Sequence, residues 1–412
     1  TEGQSMKNDV MAFVRRIDLV LLGAVLVLVS LSVLLVWSAT IHRDAITGGD
    51  TTAYLRKQAI NVAAGLVLMV GVVATNHRWV RMLTPVVYLA AVIGLALVLV
   101  MGSTVNGSKS WVNLGPVQVQ PSELAKLAVV IAMALVLAER SEGRWRARVS
   151  VGDVIAMILV AAVPIVLVLL QPDLGTTLVL GVTVFCVLAA AGTPRRWLAL
   201  LALTAVAGAT TVVATGVLKQ YQINRFMAFT DPSLDPRGAG YNVQQARIAI
   251  GDGGIFGQGL FQGSQARAGF VPEQHTDFIF TVVGEELGLV GSLVVIGLIG
   301  VVLWRGLRIA ARTDDLFGRV AAAGIVCWLG IQSFQNIGMC LGIMPVTGVP
   351  LPLISYGGSS MIAALLAVGL LLGISARSRR TGLDRSGPLQ DLRSRDRLQV
   401  AAVRKDVAFH RN

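Results

Sequence analysis

The chain has 412 residues, of which 54% are hydrophobic and 14% charged, with a mean hydropathy of +0.71. A soluble domain carries about 25% charged residues, and a globule of this size cannot hide so much apolar surface from water, which excludes a cytoplasmic enzyme, a secreted module and a disordered chain. The formal charge of +12 (35 Lys and Arg against 23 Asp and Glu) reads here as the basic loops that membrane proteins keep in the cytoplasm, not as a nucleic-acid surface.

Hydropathy predicts an all-α polytopic membrane protein. Ten spans lie at about 17–38, 59–76, 82–101, 123–138, 153–170, 174–192, 197–218, 278–304, 317–342 and 355–375. Apolar runs of about 20 residues match a hydrocarbon core about 30 Å thick. The first is too long for a signal-peptide core and is expected to be retained. Fifteen Lys and Arg fall in the gaps on the N-terminal side of the membrane and ten more in the tail from Arg377, against nine on the opposite side, five of those in one long loop. Both termini are therefore predicted to be cytoplasmic.

Residues 1–376 form one transmembrane unit. Within it, residues 219–277 make a large external loop, far longer than an ordinary connection, which marks it as functional. Residues 377–412 read as a basic, mobile cytoplasmic tail able to lie on anionic membrane lipids. Cys186, Cys327 and Cys340 lack metal-ligand spacing and read as packing residues.

Ionisable residues in apolar segments carry the functional signal, because each is costly at membrane depth unless it meets a partner or a wet cavity. Lys109 and Trp111 precede the fourth span in what reads as an interfacial loop. Glu123 and Lys126, three apart, share one helix face, which suits a salt bridge, a polar cavity, or both. Asp173, in Gln171-Pro172-Asp173-Leu174-Gly175-Thr176, either caps the sixth span or points into that cavity. Asp277 ends the segment Glu273-Gln274-His275-Thr276-Asp277 at the start of the eighth span, where desolvation and the helix N-terminus push its pKa in opposite directions. An extended chain there would put Glu273, His275 and Asp277 on one side, as a metal site needs, although three donors alone make that a weak pattern.

Glu285 and Glu286, two turns further, are costly there and are expected to pair internally or to lie near the cavity. The glycines of Gly251–Gly263 lack a dinucleotide fingerprint and read as a flexible turn, with phosphate cradling by their amides as the alternative. Three prolines in Pro345–Gly358 forbid a continuous helix, predicting a re-entrant or capping feature beside Ser355, Tyr356 and Ser359.

Together these motifs resemble the SEDS family of bacterial cell-wall glycosyltransferases. The resemblance covers about residues 15–376 and is carried by Gln120–Lys126, Gln171–Thr176, His275–Phe280, Gly284–Gly288 and Pro350–Gly358, in that order. Asp235–Tyr241 followed by Ile248–Gly251 is similar to the RodA-type elongation members rather than the FtsW-type division members. One departure stands out: many members carry Arg before the tryptophan, where this chain has Ser110, with Lys109 as the nearest cation.

The resemblance implies an enzyme of the bacterial cytoplasmic membrane that polymerises lipid II by inverting transfer, releasing polyprenyl diphosphate, for cell elongation and shape. It implies Asp277 as the catalytic acid group. Substrate binding falls to Glu123, Lys126, Asp173, Trp111, Lys109, Arg247, His275, Thr276 and Ser355, with Lys126, Arg247 and Lys109 as the cations for the diphosphate. A divalent cation, Mg or Mn, is compatible with that chemistry, and no other cofactor is implied. A class B penicillin-binding protein is the implied partner. A lipid II flippase, or a scaffold for that transpeptidase, would suit the same cavity. Glycan growth on purified protein separates the enzyme from both.

Overall fold

A computed structural model describes residues 17–378, apart from 106–107, 115–116, 142–148 and parts of 217–237. The tail therefore lies outside the described residues, as does part of the long external loop. The helices are α1 (Leu19–Thr40), α2 (Ala53–Ala74), α3 (His77–Met101), α4 (Pro121–Ser141), α5 (Val151–Leu170), α6 (Leu174–Ala190), α7 (Arg195–Ala214), α8 (Ala239–Asp252), α9 (Ile279–Arg312), α10 (Leu316–Leu341) and α11 (Gly358–Ser378). Each of the ten predicted segments coincides with one of these. Eight helices are long and apolar enough to cross a membrane, and α6 is a shorter apolar helix. Two of the named helices remain: α7, mostly exposed, which matches the predicted seventh span but is not among those eight, and α8, a half-buried helix within the external loop.

Side-chain oxygens fix where several helices begin. Asp18 accepts from the Leu21 amide at 3.1 Å, Ser150 and Asp153 form a reciprocal capping box, and Asp315 accepts from the Gly318 amide at 2.7 Å. Asp18 also pairs with Arg305 of α9, a buried tie between two helices.

The centre of the bundle is α4 and α11, buried along most of their length, while α2, α3 and α5 turn most of their surface outward. Small residues allow the close approaches, as expected where lipid tails compete for apolar contact. Gly65 faces Leu365, Gly306 faces Val326, and Gly324 sits against Val187 and Val130, where any Cβ would collide.

Residues 103–119, expected as a plain loop, form a three-stranded antiparallel sheet, β1 (Ser103–Val105), β2 (Ser108–Leu114) and β3 (Val117–Val119), in that order. Alternation in Val117-Gln118-Val119 is its sequence signal. The chain is thus helical with one small extramembrane sheet. The amide of Lys109 donates to the Gln171 carbonyl at 3.3 Å, which lays β2 over the turn between α5 and α6.

The glycine-rich stretch forms turns, as read, but its backbone is tied into the fold. α9 has 34 residues, about 51 Å at helical rise, and it breaks at Gly288 (φ 66°, ψ −164°). Into that break the loop grafts its own backbone. The amides of Gln258 and Gly259 donate to the Glu285 and Glu286 carbonyls at 2.9 and 3.0 Å, and the Leu289 and Val290 amides donate back to Gly254 and Ile255 at 3.0 and 3.1 Å. Those loop amides are used up inside the fold, so they cradle no phosphate. The two glutamates finish the graft: Glu285 accepts from the Gln265 and Ala266 amides at 2.6 and 3.1 Å, and Glu286 from the Ser38 hydroxyl at 2.5 Å. A Cβ at Gly288 would run into the Gly257 amide, in a backbone region that only glycine enters readily. Gly288→Ala is expected to destabilise the protein by at least about 1–3 kcal/mol, read as a lower melting temperature and faster proteolysis in the 253–268 loop.

Candidate active site

Four elements converge on Asp277. The segment before α9 is not extended, because the amides of Thr276, Asp277 and Phe278 all point back to the Glu273 carbonyl at 3.1–3.2 Å. That coiled turn sends alternate side chains to different places, which removes the premise of a Glu273–His275–Asp277 metal site. His275 packs between Tyr54 of α2 and Tyr356, with ring centroids 5.0 and 5.5 Å away. Burial and the Arg43 cation hold its pKa down to about 4, so the ring is neutral. The Thr276 hydroxyl returns to Glu273 at 3.1 Å.

Asp277 faces the proline-rich segment instead. A Cβ at Gly348 would lie 3.3 Å from its Oδ2, and Gly348 itself has φ +68°. Only glycine lets this segment pass so close in this conformation. The segment is irregular, as its prolines predict, and is buried from Val349 to Ser355. Irregular backbone at this depth must find protein partners. Ser32 donates to the Ile354 carbonyl at 2.6 Å, and the Tyr356 amide donates to the His275 carbonyl at 2.9 Å.

The other carbonyls are held by two α10 amides one turn apart that sequence reading passed over. Gln332 donates to Pro350 at 2.8 Å. Asn336 donates to Val349 at 2.8 Å and to the Asp277 carbonyl at 2.7 Å. Polar amides in an otherwise apolar span were the available signal. Asn336→Asp, close in shape but without the amide donor, is expected to lower kcat at least tenfold with little change in KM, measured by steady-state polymerisation.

Glu123 and Lys126 pair at 2.7 Å, fully buried. The ammonium also donates to Gln332 at 2.6 Å and lies 5.6 Å from the Trp328 ring. Asp173 caps α6, accepting from the Thr176 amide at 3.0 Å and hydroxyl at 2.9 Å. Its capping role and its place near the site coexist, since its charge reaches Asp277.

Several expected binders sit elsewhere. The Ser355 hydroxyl accepts from the Leu351 amide at 2.7 Å and closes a buried turn. Lys109 reaches the Leu99 carbonyl at the end of α3, 3.3 Å away. Neighbouring strand residues face opposite ways, so Lys109 does not project where buried Ser110 does. Trp111 lies in β2, half-buried and paired with Ser103. Arg247 is exposed on α8, its stem against Gly342 at the end of α10. The cation whose field reaches Asp277 is Arg225, in the external loop.

Electrostatics single out Asp277. Desolvation raises its pKa to about 7, and Glu273, Asp173 and Glu123 add to the rise while Arg225 opposes it. Among the described residues no hydrogen bond reaches its carboxylate, unlike those of Glu123, Asp173, Glu285 and Glu286. Unpaired buried polar atoms gather on the same elements: Ser122 Oγ, Glu123 Oε2, Gln171 Oε1, His275 Nδ1 and Asn336 Oδ1. Folded proteins leave few such atoms, so each of these is a point where a polar ligand or water finds a partner.

These helices define a multi-pass membrane protein with buried charged and polar side chains gathered around Asp277 at one end of its bundle. Residues 18–380 match the FtsW/RodA/SpoVE family model, described as cell cycle proteins. The chain is 38% identical over 358 residues to the peptidoglycan glycosyltransferase MrdB of Escherichia coli K12, covering 87% of this chain and 93% of that one. It is 37% identical over 372 residues to a probable peptidoglycan glycosyltransferase FtsW of Geobacter metallireducens, covering 89% and 97%.

Among solved structures it is similar to a chain from a peptidoglycan synthase complex described as coordinating polymerization and crosslinking (TM-score 0.72, 35% identity, 88% and 98% covered). It is also similar to the rod shape determining protein RodA of Thermus thermophilus (TM-score 0.63, 33% identity, 87% and 96% covered). The chain belongs to the FtsW/RodA/SpoVE family, the SEDS family of the sequence motifs.

Proposed function

We propose that the chain is a peptidoglycan glycosyltransferase of the elongation type, joining lipid II units at the outer face of the bacterial cytoplasmic membrane. MrdB and RodA, among its relatives, support the elongation assignment. Asp277 is the general base. The observation that carries this reading is a half-buried carboxylate that, among the described residues, accepts no hydrogen bond and whose pKa burial raises to about 7, where a base is both deprotonated and basic enough to work.

In the step, a sugar 4-hydroxyl forms a bond to the anomeric carbon of the donor as the bond to the diphosphate oxygen breaks. The hydroxyl proton passes to Asp277, and the anomeric centre inverts without a covalent sugar–protein intermediate. Arg225 and the remaining Lys126 donor hold the negative charge on the departing polyprenyl diphosphate. A divalent cation, Mg or Mn, is compatible with the diphosphate chemistry, although among the described residues no three His, Cys, Asp or Glu side chains are grouped to hold a metal.

Purified protein incubated with lipid II should yield a ladder of longer glycans. Lipid translocation without chain growth would mark a flippase instead. The similarity to a chain of a synthase complex also supports a class B penicillin-binding protein as partner, tested by co-purification from membranes.

A further inference from the structure

At the opposite end of α6 from Asp173, a second site is built from different chemistry. α6 has 17 residues, about 25 Å at helical rise, so this end lies toward the other membrane face. Here α5, α6 and α7 enclose a cavity of about 140 Å³ lined by Val154, Ile158, Leu188 and Leu201, with Thr193 and Trp197 at the turn into α7. α7 meets the bundle mainly along α6, which leaves a wedge between it and α5.

Among the described residues, two polar atoms on this lining have no hydrogen-bond partner. Thr193 is 7% exposed, and its hydroxyl makes no hydrogen bond. The Trp197 indole N–H is likewise buried and unpaired. A buried donor normally has an acceptor, and a cavity lined by aliphatic side chains takes up apolar groups rather than water. One ligand meets both conditions if it carries a hydrocarbon chain and ester or phosphate oxygens close together. Arg195 and Arg196, exposed beside the opening, add positive charge at the rim. Basic residues next to membrane helices attract anionic headgroups.

We propose that this wedge binds an anionic glycerophospholipid of the cytoplasmic leaflet. One acyl chain enters the cavity, its ester oxygens take the Trp197 and Thr193 donors, and its phosphate meets Arg195 and Arg196. A space of 140 Å³ holds a segment of one acyl chain and not a whole lipid, so the rest of the chain runs along the outer surface of α7. The bound lipid would brace α7, the helix with the least protein packing.

The test is native mass spectrometry of the full chain, released from nanodiscs of equal phosphatidylglycerol and phosphatidylcholine. Wild type should retain one phosphatidylglycerol at least tenfold over phosphatidylcholine. Arg195→Ala/Arg196→Ala should abolish that preference, and Leu201→Trp, which fills the cavity, should abolish retention of either lipid. Both arginines are exposed, so their double variant keeps its fold, and a melting curve checks this. Equal retention of the two lipids by wild type would overturn the proposal. So would unchanged phosphatidylglycerol retention in the arginine variant, or in a folded Leu201→Trp.

Discussion

Asp277→Asn is expected to lower the polymerisation rate by about 10²–10⁴-fold, the range a positioned general base contributes. The amide keeps the shape that packs against Gly348 and leaves the Asn336 bond to the 277 carbonyl in place, so substrate binding should change little. Wild-type kcat/KM should rise with pH and level off, with a midpoint near the Asp277 pKa of about 7, because only the deprotonated carboxylate accepts the hydroxyl proton. Stability should show the opposite trend. A folded-state pKa raised above the unfolded value means that the folded protein holds a proton the unfolded chain has lost. Wild type therefore loses stability as pH rises from about 4 to about 7, and loses no more beyond that. The asparagine variant lacks this decline and should melt no lower than wild type at pH 8. An inactive but more stable variant separates a chemical role from a structural one. Wild-type glycan synthesis by the asparagine variant would remove Asp277 from the mechanism.

The fold was largely legible because membrane spans declare themselves by length and apolarity. Every predicted segment coincides with a helix, and the Pro345–Gly358 break was readable from its prolines alone. Charges in costly places led to Glu123, Lys126, Asp173 and Asp277, which the structure brings within electrostatic reach of one another. Spacing along the chain, however, does not reveal partners that lie far away in sequence. Gln332 and Asn336 look like ordinary mid-span amides until the carbonyls of Val349, Pro350 and Asp277 arrive beside them. Gly257 read as part of a flexible turn, yet it and Gly288 are small because another backbone passes where a side chain would stand. Lys109, Arg247 and Ser355 carry suitable chemistry, but the elements that hold them turn it elsewhere.

Lys126→Ala is expected to destabilise the protein by about 3–5 kcal/mol, the usual result of removing one partner from a buried ion pair. It would strand the Glu123 carboxylate at a position with essentially no solvent exposure, and it would take one of the two donors from Gln332 Oε1. Glu123→Gln/Lys126→Met removes both charges and should recover most of that loss, since a buried pair is often matched in stability by neutral side chains of similar volume. Gln332 would keep its Trp328 donor and its bond to Pro350, so the proline-rich segment beside Asp277 should hold its place. Thermal melting of the two variants in one detergent gives the comparison. The stable double variant is nonetheless expected to polymerise lipid II at least a hundredfold more slowly. An ammonium has three N–H donors, and the two hydrogen bonds of Lys126 leave one for the diphosphate, beside the unpaired Glu123 Oε2. A double variant that melts like wild type and still builds glycan at the normal rate would confine this pair to holding α4 and α10 together.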